Sequence, residues 1–150
     1  MVAMSMESSA SFLAQLEKRL GTQFLNIKAA RELSQKKRSE ITEKLEGIPS
    51  SDTSIMILGS LARDEFTEGS DIDWTLLVDG SADPEHLEVA NKVGGMIADF
   101  SSKSVGREGT FGSLTFSHNL IHQIGGEADT NRNTTQRILL LLESCVLGRD

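Results

Sequence analysis

Two short apolar runs, Ser54 to Leu58 and Ile72 to Val78, bracket Gly59-Ser60, ten intervening residues and the triplet Asp71-Ile72-Asp73; no other part of the chain restricts its fold as much. Each run is free of breakers and has the length of a buried strand. Side chains alternate along a strand, so Asp71 and Asp73 project to one face while Ile72 and Trp74 take the other. Carboxylates held side by side repel unless something neutralises them, and a divalent cation that prefers oxygen does so directly. The pair therefore predicts a magnesium site. Gly59 permits close backbone approach where the first strand ends, and Ser60 offers a hydroxyl and a backbone donor at the start of a predicted helical turn, Ser60 to Glu68. Arg63 adds planar donors suited to phosphate, and Gly69-Ser70 adds a flexible turn with a second hydroxyl. Together these residues predict a cradle that holds a nucleoside triphosphate against metal.

The flanks read as mostly helical. Phe12, Leu13, Leu16, Leu20, Phe24, Ile27, Ile41 and Leu45 recur at spacings near three and four, which predicts an N-terminal helical segment. Gly21 weakens it, and the polar stretch Glu32 to Glu40 is expected to be a solvated face or a bend between two helices. Gly47, Pro49, Ser50 and Ser51 stop the helix, so the expected division is a helical segment, 1–49, and a core domain, 50–150. Pro84 to Asp99 predicts a further helix, weakened by Gly94 and Gly95. Ser101 to Gly112 is expected to be a mobile loop, and Leu114 to Ile124 is either a strand or a short helix. Thr130 or Asp129 can cap a last helix from Asn131 to Leu147. No internal repeat is present.

Composition narrows the functions. The net charge of -7 over 150 residues opposes a broad nucleic-acid surface, and the absence of Tyr together with 5% aromatic content argues against stacking platforms for single strands. One bound nucleotide with metal ions stays compatible, because divalent cations invert the local charge. Cys145 stands alone, which excludes an intramolecular disulfide and a cysteine zinc cluster. The longest apolar run, Ile138 to Leu142, is too short to span a bilayer, and the N-terminus has no signal-peptide pattern. A cytoplasmic protein without membrane partners is expected.

Gly59-Ser60-Leu61-Ala62-Arg63 followed by Gly69-Ser70-Asp71-Ile72-Asp73 resembles the signature of the DNA polymerase beta nucleotidyltransferase superfamily, over roughly Ser54 to Val78. The resemblance implies an α/β (α+β) fold, a small mixed sheet with flanking helices. It also implies two magnesium ions carried by two aspartates on one strand, usually with a third carboxylate on a neighbouring strand. The activity implied is transfer of a nucleoside monophosphate from a nucleoside triphosphate, ATP among them, to a hydroxyl or other acceptor, with release of pyrophosphate. On this basis Asp71 and Asp73 bind metal and are catalytic, and Gly59, Ser60, Arg63 and Ser70 bind the nucleotide. The third acid is expected at Asp129, or else at Glu127, both just after Gly125-Gly126. Each has a plainer reading, Asp129 as a helix cap and Glu127 as a loop charge.

Other candidates weigh less. Arg132 and Arg137 on the last helix are expected to be solvated rather than to touch phosphate. His118 and His122, four apart, have no third ligand and are expected in packing or surface hydrogen bonds. Trp74 is expected in the core, and Cys145 buried and inert on the last helix.

Enzymes of this superfamily commonly bind their acceptor with a second domain. The expected substitute is a missing C-terminal substrate domain, a partner chain, or a homodimer formed through the N-terminal helix or Ile138 to Leu142. The acceptor is a small molecule or a protein side chain. The ten-residue gap between Ser60 and Asp71 also resembles minimal nucleotidyltransferase antitoxins, which adenylylate a partner toxin. A catalytically inactive nucleotide-binding regulatory module is the alternative from another class, and the location of the third carboxylate separates the two.

Overall fold

The computed structural model describes residues 6–101 and 112–147. Along the chain run α1 (Met6–Leu20), α2 (Leu25–Leu45), β1 (Thr53–Leu58), α3 (Gly59–Ala62), β2 (Asp73–Val78), α4 (Pro84–Ala98), β3 (Ser113–Phe116), α5 (Ser117–Ile121), α6 (Asn131–Glu143) and β4 (Ser144–Val146). The strands form one mixed sheet in the order β3-β2-β1-β4. β1 is antiparallel to both β2 and β4, whereas β2 and β3 are parallel. Parallel neighbours need a long crossover, and α4 lies within it. This is the small mixed sheet with flanking helices that the sequence predicts.

Strand alternation sorts the two faces. Trp74, Leu76 and Val78 of β2 join Ile55 and Ile57 of β1 in a core completed by Ala90, Val93 and Ile97 of α4, and by Ile41 and Leu45 of α2. Withdrawing each large aliphatic side chain from water stabilises the fold by roughly 1.5–3 kcal/mol. Ile41 and Leu45 thus enter the same core as the sheet, across the division expected near Pro49. On the other side of β2 the packing is polar: Thr75 donates to the Ser113 carbonyl at 2.7 Å, Thr75 and Thr115 hydroxyls lie 2.9 Å apart, and Gln136 of α6 reaches Thr115 at 3.2 Å. These buried groups are satisfied by one another.

Gly94 has a packing reason. A Cβ there would stand 3.1 Å from Cζ2 of Trp74, which is 2% exposed, so the residue that weakens α4 also admits the indole. Asp83 caps α4 by accepting from the Glu85 amide at 2.8 Å, with Pro84 at the helix start, where its missing N–H costs no hydrogen bond.

Several expectations are corrected. The helical break falls at Gly21, φ +63, while α2 runs unbroken through Glu32 to Glu40. Glu17 holds that elbow, accepting from the Phe24 amide at 2.8 Å and pairing with Lys28 at 2.7 Å. The N-terminal apolar spacing does mark helices, but Phe12, Leu20, Leu25 and Ile27 stay exposed. Leu114 to Ile124 is neither strand nor helix alone, because β3 ends at Phe116 and α5 begins at Ser117. The last helix stops at Glu143, and Ser144–Val146 pair with β1 instead. There tertiary pairing overrides local periodicity: the outer edge of β1 gains a partner, and Leu147 becomes 4% exposed. Cys145 therefore lies on a strand, half-buried, and burial raises its thiol above the usual range. Most of the loop expected from Ser101 to Gly112, residues 102–111, lies outside the described residues. Among the described residues no helix is long and apolar enough to cross a membrane.

Candidate active site

The antiparallel register of β1 and β2 places Leu58 opposite Asp73, so the chain turns at Gly59 beside the first residue of β2. Gly59 has φ +66, a conformation that side chains rarely adopt, and a Cβ built on it would stand 3.2 Å from Oδ2 of Asp73. Glycine is needed there twice over, for its dihedral and for the space beside the carboxylate.

Ile72 and Trp74 are 1% and 2% exposed, whereas Asp71 is exposed and Asp73 half-buried, the alternation that the sequence predicts. Regular pairing begins only at Asp73, so Asp71 precedes the strand rather than lying on it. The two carboxylates nonetheless feel each other. Burial first, and the Asp71 charge second, raise the Asp73 carboxyl above its ordinary value.

Around this pair the other candidates are ordered by local hydrogen bonds. The Gly59 carbonyl accepts from the Arg63 amide at 3.1 Å, and the Ser60 carbonyl accepts from the Glu65 amide at 2.8 Å, which closes the short helical turn after the bend. Arg63 donates through Nε to Glu65 at 3.0 Å and through Nη1 to Glu143. Ser70 closes its own turn: its hydroxyl accepts from the Thr67 amide at 3.1 Å, and its amide donates to the Thr67 carbonyl at 2.9 Å.

Three further residues position this region and escaped the sequence reading. Ser34, fully buried on α2, donates to the Ala30 carbonyl at 2.7 Å and accepts from the Phe66 amide at 3.0 Å. Arg38, one turn on, donates to the Leu61 carbonyl at 2.6 Å and pairs with Asp64 at 2.6 Å. Asp64 itself has φ +62, a left-handed conformation that costs a non-glycine residue about 1–2 kcal/mol and is fixed here by that arginine. The polar stretch of α2 therefore holds down the segment from Leu61 to Phe66. Its only signal in the sequence is the four-residue spacing of Ser34 and Arg38, which sets them on one helix face without naming a partner.

Asp129 is engaged elsewhere. Its carboxylate accepts from the Gly125 amide at 2.9 Å and from Nη2 of Arg137 at 2.9 and 2.8 Å, and these bonds hold it below the ordinary carboxylate range, the Gly125 amide contributing most. Thr130, not Asp129, caps α6 by accepting from the Asn133 amide at 3.1 Å. Arg137, expected to be solvated, is tied to Asp129 and to the Leu120 carbonyl at 3.2 Å. Arg132 reaches Ser113 at 3.5 Å, and Glu127 is exposed. His118 of α5 and His122, which follows the end of that helix, have ring centroids 5.0 Å apart. Among the described residues no three His, Cys, Asp or Glu side chains gather as a metal-binding group.

The donor set that remains suits a divalent cation that prefers oxygen. Two neighbouring carboxylates, one disfavoured as an anion by burial and by the other's charge, offer hard oxygen donors beside the bend at Gly59. Magnesium is usually bound by one or two carboxylates and completes its shell with water and substrate phosphates, so a full protein cage is not required.

No curated protein and no solved structure matches the chain. The nucleotidyltransferase domain family matches residues 28–115, more than half of the 150, and the match includes Gly59, Ser60, Arg63, Ser70, Asp71 and Asp73 but not Asp129. With nucleotidyl transfer as its general chemistry, the chain belongs to the nucleotidyltransferase domain family.

Proposed function

We propose that the protein transfers a nucleoside monophosphate from a nucleoside triphosphate to a small-molecule or protein acceptor and releases pyrophosphate. The observation that carries this reading is the approach of the Asp73 carboxylate to the gap left by Gly59, with Asp71 close enough to raise its pKa. Asp71 and Asp73 would hold magnesium ions, which when bound neutralise the triphosphate and stabilise the leaving group. The bend at Gly59 and Ser60 receives the phosphates, Arg63 donates to them, and Ser70 sets the turn that delivers Asp71. Asp129, the expected third acid, is committed to Arg137 and Gly125, so the reading rests on two aspartates.

That commitment favours a second reading, a nucleotide-binding module that has lost turnover. One experiment separates the two. The protein is incubated with magnesium and each labelled nucleoside triphosphate, with and without cell extract, and labelled product and pyrophosphate are measured. Transfer that disappears in Asp71→Asn and Asp73→Asn supports the enzyme. Binding without transfer under every condition supports the module, and transfer that persists in both variants refutes the site.

A further inference from the structure

We infer that Glu143, at the junction of α6 and β4 and outside the family match, is a positioning residue that orients the Arg63 guanidinium toward a bound triphosphate; the inference rests on the nucleotidyl-transfer reading. The sheet brings it there. Leu58 is opposite Asp73 on one side and Ser144 on the other, so the chain enters β4 at the same end of the sheet at which Asp73 begins β2. Glu143, immediately before Ser144, pairs with Arg63, whose amide is bonded to the Gly59 carbonyl.

Two carboxylates grip different nitrogens of that guanidinium. Glu65 takes Nε and Glu143 takes Nη1, while Nη2 has no partner among the described residues. A planar group fixed at two nitrogens presents the third in a defined direction, which lowers the ordering cost of a charge-assisted bond to phosphate. Glu143 is the firmer of the two anchors. Its side chain is 29% exposed against 60% for Glu65, and it belongs to a separate element, so it also ties the end of α6 to the bend at Gly59 and Ser60.

Charge alone predicts the opposite effect on binding, and this makes the inference testable. Removing a carboxylate near a polyanion site should tighten binding by electrostatics, whereas losing a positioning contact should weaken it. The whole chain is titrated calorimetrically with magnesium and inorganic tripolyphosphate, a probe that carries no base. Wild type, E143Q, R63A and the double variant are compared. E143Q is expected to weaken binding about five- to tenfold, R63A at least as much, and the double variant no more than R63A, since coupled residues are not additive. Glu143→Asp, which retains the carboxylate on a shorter stem, should fall between wild type and E143Q, and it serves in its place if E143Q does not fold. Binding by the Glu143 variant that equals or exceeds wild type overturns the inference, as does an additive double variant. A wild type that binds no tripolyphosphate refutes the parent reading and this one together, whereas a wild type that binds alongside an unimpaired Glu143 variant refutes only this one.

Discussion

Oδ2 of Asp73 stands 3.2 Å from the point where a side chain on Gly59 would begin, in a backbone with φ +66. Gly59→Ala therefore meets two penalties, a left-handed conformation and a methyl group against a carboxylate. The expected loss of stability is about 1–3 kcal/mol by urea denaturation. Magnesium-dependent protection by tripolyphosphate should weaken at the same time, because the methyl displaces Asp73. A variant as stable as wild type would show that the bend relaxes and that the approach to Asp73 is not fixed.

Asp73 should destabilise the protein that contains it. Its carboxyl is raised in the folded state by burial and by Asp71, so the unfolded chain ionises it more readily, and the folded state is disfavoured once pH rises above the ordinary carboxylate value. Any stabilisation of the folded state through this group is complete only below that value and is lost as pH climbs through the raised one. Asp73→Asn is thus expected to raise the melting temperature of metal-free protein at pH 7 by a few degrees. The gain should shrink as pH falls through the raised range, because the wild-type carboxyl itself takes up a proton there. Added magnesium and tripolyphosphate should reverse the ranking by binding the wild type alone. A lower melting temperature for the variant at pH 7 would contradict the electrostatic account.

How much of this could be read beforehand divides along a physical line. Local alternation shows Asp71 and Asp73 opposite Ile72 and Trp74, and short apolar runs show β1 and β2, because both depend on neighbours in sequence. β4 and the pairing of Arg63 with Glu143 depend on residues eighty or more positions apart, and no spacing rule reaches that far. Ser144–Val146 follows a strongly helical pattern and becomes a strand only because β1 offers an edge. Asp129 is eligible as a third acid by its place after two glycines, but its partner, Arg137, lies nearly two turns into α6, and nothing in the spacing chooses between a metal and a guanidinium.

Asp129→Asn tests that choice. The wild-type carboxylate is lowered by the Gly125 amide and by Arg137, so its stabilising effect is present above the ordinary carboxylate value and is lost as pH falls through the lowered one. The variant should melt below wild type at pH 7, and the difference should close in acid. Tripolyphosphate binding measured below the melting range should be unchanged. Unchanged melting combined with lost nucleotidyl transfer would instead restore Asp129 as the third catalytic acid.

Ser34 lies on α2, yet its hydroxyl fixes the Phe66 amide that ends the segment following the Gly59 bend. In Ser34→Ala that amide, buried and deprived of its acceptor, should cost about 1–3 kcal/mol. The cavity left by one oxygen is too small to recruit a replacing water with several partners, so little compensation is expected. Arg38→Met acts on the same segment from the next turn, removing the bonds to the Leu61 carbonyl and to Asp64. Because both residues restrain one segment, the double variant should lose less than the sum of the single losses, by about 0.5 kcal/mol or more in urea denaturation. Strict additivity would mean that α2 braces two independent regions, and the segment from Leu61 to Phe66 would no longer count as one support beneath the bend.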